Sequence, residues 1–178
     1  MSVWDAIWTG LVGGLCASLV WFLVFRLIRP RVRIAPKASW DPKAGLVRFK
    51  ILNSASRDLI DLRFQLDVLR PRVGPRGITY TRFRVPLTAQ PPVLLAGKRR
   101  GGDDSNAYRV AARLDPSEVF TEEDNHFVRF KVFGRDAVSG VGRVAEASYH
   151  SIDDFVTGTY EKGQTFEIAQ RKLSSQRS

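Results

Sequence analysis

Two histidines, one cysteine and a few paired acids are the residues of this 178-residue chain whose types could do chemistry. A hydrolytic or acyl-transfer site needs a nucleophile, a base and a stabiliser of developing charge brought together. His126 and His150 fall in strand-like or edge contexts with no motif around them. Gly140-Val141-Gly142 and Ser148 lack the spacing of a nucleophile elbow. The same glycine pair has neither the further glycine nor the following helix of a dinucleotide loop, and reads as a tight turn. Lys98-Arg99-Arg100-Gly101-Gly102 has no strand–helix context for cradling phosphate. Glu122, Glu123 and Asp124, or Asp153 and Asp154, offer oxygens to a hard cation, but adjacent acids on a loop do not converge on one point. With Cys16 the only cysteine, no intramolecular disulfide and no thiolate metal site can form. No metal, cofactor or enzymatic activity is expected.

The basic residues carry more information. The formal net charge is +10. Arg26, Arg29, Arg31, Arg33 and Lys37 all follow one long uncharged run. At the height of lipid head groups each would contribute about 1 kcal/mol of attraction to an anionic leaflet. They read as setting topology and as a binding set for acidic phospholipid. A second group, Arg70, Arg72, Arg76, Arg82 and Arg84 with Lys98, Arg99 and Arg100, is expected to form a basic edge that extends this surface. Nucleic acid is not an expected partner: no recognition helix exists, and Phe64, Phe83 and Phe130 sit at strand-packing positions.

The element that positions the first basic set is the run itself. Residues 6–25 are twenty without a charge, about 30 Å as a helix, the thickness of a hydrocarbon core. Trp4 and Trp8 mark one interface, Trp21 and Phe22 the other. A signal peptide would place its positive charge ahead of the run; here it follows. The positive-inside rule then puts the N-terminus outside and the rest in the cytoplasm, as a single-pass protein of a bacterial inner or plasma membrane. Gly10, Gly14 and Ser18 fall four apart, beside Gly13 and Ala17. Small residues at this spacing let helices approach closely, which predicts self-association.

The remainder predicts a mainly β domain. Alternation marks strands in which Val47, Phe49 and Ile51 face inward against Arg48 and Lys50. A longer run places Ile60, Leu62, Phe64, Leu66 and Val68 inward, with Asp61, Arg63, Gln65 and Asp67 outward. Residues 71–77 read as a Pro/Gly loop and 98–106 as a mobile one. Tyr108, Val110, Ala112 and Leu114, then Val128, Phe130 and Val132, form further inward rows. A last strand is expected over 164–168. Frequent turns and almost no helix favour a β-sandwich. The domains expected are a transmembrane helix over 1–29, a β-sandwich over 30–170 and a polar tail over 171–178.

Two stretches carry a family resemblance. Residues 47–69, with RFKILNSASRDLIDLRFQLDVL, and residues 128–155, VRFKVFGRDAVSGVGRVAEASYHSIDDF, resemble the cytoplasmic immunoglobulin-like domain of inward-rectifier potassium channels. The shared features are a strand, an asparagine-bearing loop and a long strand, then a Gly-x-Asp turn at Gly134 and Asp136. A final strand follows, with Ala145, Ser148 and Tyr149. The resemblance implies an E-set type immunoglobulin-like fold, cytoplasmic placement and symmetric assembly. The pore helix, the carbonyl filter and a second spanning helix of that family are missing, so potassium selectivity is not implied. The function expected is non-enzymatic: a membrane-anchored sandwich that scaffolds or regulates a membrane complex through self-association and a further membrane protein. The alternative is a channel whose pore is built from several copies of the single helix, although Thr9 and Ser18 are the only hydroxyls in it.

Overall fold

A computed structural model describes residues 3–75, 77–98, 104–121 and 126–169. The chain opens with α1, Val3–Ile28, and continues into β1 (Val32–Ile34), β2 (Ala38–Asp41) and β3 (Leu46–Asn53). A hairpin of β4 (Leu59–Gly74) and β5 (Gly77–Val85) precedes β6 (Leu94–Leu95) and β7 (Ala107–Arg113). A four-residue helix, α2 (Pro116–Val119), is capped by Asp115, whose carboxylate accepts from the Ser117 amide, with proline in its first turn. Then follow β8 (Phe127–Asp136), β9 (Gly142–Tyr149), β10 (Phe155–Thr157), β11 (Thr159–Tyr160) and β12 (Ile168–Ala169).

The strands form two five-stranded sheets and a small two-stranded one. In the first sheet β3 is central, with β7 along one edge and β1 and β2 sharing the other. β10 joins β2 in parallel. The second sheet runs β5-β4-β8-β9, with β6 beside the start of β4. This is the expected β-sandwich. Its core forms where the inner rows meet: Phe49 of the first sheet stacks on Phe130 of the second with centroids 4.7 Å apart. Val47, Phe49, Ile51, Val110, Val128, Phe130 and Val132 are fully buried, as their alternation predicts.

Three expectations about side-chain direction are corrected. Lys50 belongs to the outer row of β3, yet it is fully buried, because residues 159–169 lie across that face of the sheet. In β4 the inward residue at the start is Leu59, and Ile60 is only half-buried. A β-bulge between Ile60 and Arg63 sets Asp61 and Leu62 against Gly134 alone, with Asp61 at φ +52°. The extra residue shifts the alternation by one, which a strict period of two cannot anticipate. Asp67 points outward but is buried, since Arg84 and Gln65 reach over it.

Residues 71–74 continue as strand, although a loop was expected there. β4 pairs with β8 only as far as Leu69↔Phe127, so beyond it the hairpin is a two-stranded arm. Pro71 is tolerated in β4 because, among the described residues, that edge has no further ladder partner. Phe83, opposite Val68 where β4 still pairs with β8, is 51% exposed and does not pack in the core as predicted. The last strand pairing is Thr159–Tyr160 with Ile168–Ala169, slightly later than the 164–168 expected. The polar tail lies outside the described residues.

Candidate functional site: the helix exit and the basic end of the sandwich

On α1 the small residues leave an open strip. A Cβ added at Gly10, Gly13 or Gly14 would meet nothing within 4 Å, and Ala17 and Ser18 are exposed. The Ser18 hydroxyl donates to the Gly14 carbonyl at 2.8 Å, so it keeps a low profile and bonds within the helix. Large apolar side chains are exposed around the helix, among them Trp8, Leu11, Leu15, Leu19 and Phe22. Among the described residues no helix is long and apolar enough to cross a membrane. The continuous stretch of α1 whose side chains are described is residues 10–24, shorter than the roughly 20 apolar residues a span needs.

The five basic residues expected to face lipid are not brought into one cluster. The side chain of Arg26 lies outside the described part of α1. Arg29 and Arg31 are exposed on either side of the buried Pro30. Arg33 is drawn over the ring of Phe166, 5.3 Å from its centroid. Lys37 is exposed six residues beyond Arg31, past β1 and the buried Ala35. Among the described side chains of this set, Arg29 and Arg31 flank the exit itself.

The exit is fixed by backbone carbonyls. Arg143 Nη1 on β9 donates to the Pro30 oxygen at 2.8 Å. Ser54 donates to the Arg31 oxygen from both its amide and its hydroxyl, each at 2.8 Å. Farther along, the hydroxyls of Tyr149 and Tyr160 donate to the carbonyls of Ala35 and Lys37 at 2.8 and 2.6 Å. Burial raises both phenols above their ordinary range.

The loops around the exit are tied together by three polar residues, Asn53, Asp58 and Asp136, the last being the acid of the Gly-x-Asp turn. Asn53 Nδ2 donates to the carbonyls of Arg57 at 2.8 Å and Ala96 at 3.1 Å, and its own carbonyl accepts from Asn106. Asp58 accepts from the Gly97 amide at 2.7 Å, and its carbonyl accepts from the Ala137 amide. Asp136 Oδ1 accepts from the Val138 and Ser139 amides and the Ser139 hydroxyl, with Arg57 at 3.6 Å. Asn53 and Asp136 each stand at a strand end before a turn, and Asp58 stands just ahead of β4. Burial opposes ionisation of Asp136, but the hydrogen bonds from Ser139 and Val138 and the Arg57 charge outweigh it, and its pKa lies below the usual value.

The second basic group is split by the topology. Lys98 belongs to the exit end, since its amide donates to the Ala55 carbonyl. Arg70, Arg72, Arg82 and Arg84 lie along the β4–β5 hairpin, which runs away from that end toward the turn between Gly74 and Gly77. They cannot extend the same surface. Arg76, Arg99 and Arg100 lie outside the described residues.

The candidate chemical residues do not converge. Arg70 Nε donates to His126 Nε2, and the other ring nitrogen faces the Val119 carbonyl at 2.9 Å. His150 stacks on Phe127 with centroids 5.2 Å apart. The Asp154 carboxylate accepts from the His150 and Ser151 amides and so caps a short 3-10 turn. Glu122, Glu123 and Asp124 lie outside the described residues, and among the described residues no three His, Cys, Asp or Glu side chains are placed to hold a metal ion. No protein-family model matches the chain, and no curated protein matches its sequence.

Proposed function

We propose that the protein is a membrane-anchored β-sandwich of the E-set immunoglobulin-like type that scaffolds or regulates a membrane complex by self-association. α1 is the anchor, with its N-terminus outside and the sandwich in the cytoplasm. The small-residue strip of Gly10, Gly13, Gly14, Ala17 and Ser18 is the contact between copies. Arg29 and Arg31, with Arg26, face anionic phospholipid where the chain leaves the bilayer; Arg33 and Lys37 lie farther out. The likeness to inward-rectifier cytoplasmic domains stands with this reading, and a further membrane protein is its target.

One observation carries the proposal. The apolar side chains of α1 are exposed all round the helix, from Trp8 at 62% through Leu15 at 64% to Phe22 at 61%. A helix that is apolar on every face finds its stable environment in lipid. The reading gains from the fifteen described side chains of residues 10–24 being continuous with an uncharged sequence run over 6–25. A pore built from several copies has no comparable support, because the Ser18 hydroxyl is turned back on the Gly14 carbonyl. The test is extraction of membranes from expressing cells with alkaline carbonate. The full chain is expected in the pellet and released only by detergent; recovery in the supernatant would overturn the anchor.

A further inference from the structure

β5 is the edge of the second sheet, and its outer side is open. Its residues pair with β4 in unbroken register, from Leu66↔Val85 to Gly74↔Gly77. Among the described residues no strand lies on its other side. The open ladder is about 30 Å long, at roughly 3.4 Å per residue. Native proteins blunt such an edge with proline, a bulge or a covering segment. The sequence of β5, GITYTRFRV, contains no proline, and its register shows no bulge.

The register also fixes what each face of β5 presents. Ile78, Tyr80, Arg82 and Arg84 stand opposite Val73, Pro71, Leu69 and Asp67, on the outer face of the sheet. The approach of Arg84 to Asp67 at 3.8 Å and the edge-on contact of Tyr80 with Phe127, centroids 5.7 Å apart, both lie on that face. Val73 and Ile78, side by side near the turn, are 88% and 61% exposed. Arg82 is exposed and makes no hydrogen bond or ion pair with a described residue. One face of the edge strand therefore shows two apolar side chains toward the turn and two guanidinium groups toward the body. The other face shows Thr79, Thr81 and Phe83.

We propose that the free edge of β5 takes up an extended segment of another protein, acidic at one end and apolar at the other, as an added strand. Main-chain bonds of such a pairing supply affinity, and alternate side chains supply specificity. In the antiparallel sense, the more stable one, two acids at alternate positions face Arg84 and Arg82. Two apolar residues then face Tyr80 and Ile78. Opposite charges across a ladder favour the pairing, and like charges oppose it. A second copy is disfavoured on that ground: β5 has no acid, the chain carries a net charge of +10, and two such strands would bring four arginines together. The bilayer that holds α1 is disfavoured by position. β4 starts at the exit end, where Asp58 ties the loops, and runs roughly 50 Å from there to the turn. The contact rests on the further partner of the scaffold reading above; the membrane anchor is not required for it.

Full-length protein in phosphatidylcholine nanodiscs, titrated with the peptide acetyl-Asp-Thr-Asp-Thr-Val-Thr-Val-amide, tests the proposal. Wild type is expected to bind with a Kd below about 100 μM. Arg82→Glu is expected to weaken binding roughly tenfold, and lysine in place of the second aspartate of the peptide to restore it in that variant. Equal melting temperatures exclude misfolding. Methylating the peptide's backbone nitrogens at alternate positions is expected to abolish binding for one set and spare the other, because only one set faces β5. Binding indifferent to Arg82→Glu or to both methylated sets, or none tighter than about 1 mM, overturns the proposal. Failure of the peptide alongside phosphatidylserine vesicles that bind through Arg82 would give the edge to lipid. Failure alongside a dimer that Arg82→Glu dissociates would give it to a second copy; either overturns the choice of partner. Carbonate extraction reads the anchor separately. A chain released by carbonate that binds the peptide through Arg82 loses the anchor and keeps this contact, and a pelleted chain that ignores the peptide does the reverse.

Discussion

The ammonium of Lys50 on β3 donates to the carbonyl of Glu161 at 2.8 Å, from a side chain with no solvent exposure. A second bond reaches the Gly163 carbonyl at 2.7 Å, and Arg109 Nη2 meets the Glu161 carbonyl at 3.1 Å. A strand that would otherwise face water is thus the attachment point of the β11–β12 segment. Lys50→Met keeps the apolar stem and removes the donor. Leaving a buried acceptor unsatisfied costs about 1–3 kcal/mol, so the variant should unfold at lower denaturant, with faster proteolysis at residues 159–169. An unchanged denaturation midpoint would show that the segment holds without the lysine.

Asp136 predicts a pH dependence. Its carboxyl is depressed in the folded state, so the unfolded chain takes up its proton first as acid is added. The stability it contributes is present above the unfolded carboxyl pKa of about 4 and is lost as pH falls through the lower folded value. Asp136→Asn should therefore destabilise the domain at neutral pH, where the charged acceptor is lost. It should also flatten the stability curve below about pH 4. Parallel acid limbs for wild type and variant in denaturation measured from pH 2 to 7 would contradict this.

Gly97 and Gly142 make a controlled pair. A Cβ on Gly97 would lie 2.7 Å from the Arg57 nitrogen and closer still to the Ser56 carbonyl, all backbone atoms. On Gly142 the same atom would meet only ordinary contacts, 3.8 Å from Arg135 Cγ. Gly97→Ala should lower stability by several kcal/mol, about the cost of overpacking a tight site. Gly142→Ala should be near neutral or slightly stabilising, since alanine restricts the unfolded chain. Equal thermal midpoints for the two variants would refute the close approach of 55–57 to 96–98.

Gly14→Leu fills the open strip on α1. If copies meet there, the larger side chain should weaken association roughly tenfold, about the effect of 1.4 kcal/mol. Mass measured in mild detergent over a range of concentrations reads this directly. A monomeric wild type, or an oligomer indifferent to the substitution, would remove the helix from the assembly.

Sequence reading reached the rows that decide the core. Phe49, Phe130, Val110 and Val128 announced themselves by alternation, and the sandwich follows from them. It failed where one segment covers another. Lys50 reads as a solvated charge until residues 159–169 cross it, and Asp67 likewise until Arg84 reaches over. The bulge at Asp61 was hidden because a single inserted residue leaves both halves of β4 correctly alternating. For the candidate site, proximity in sequence overstated proximity in space. Arg29 to Lys37 look like one basic patch along the chain, whereas Arg143 comes to the Pro30 carbonyl only through the fold.

β2 lies between β3 and β10, and its neighbours on the C-terminal side are far away in sequence. Ala38 pairs with Phe155, and Tyr149 and Tyr160 reach Ala35 and Lys37 over separations of 114 and 123 residues. Contacts of such range form late, after most chain entropy has been lost. During translation the segment that emerges just behind α1 must therefore wait, with one strand edge unzipped, until residues 155–160 leave the ribosome. The part of the domain synthesised first is among the last to be sealed.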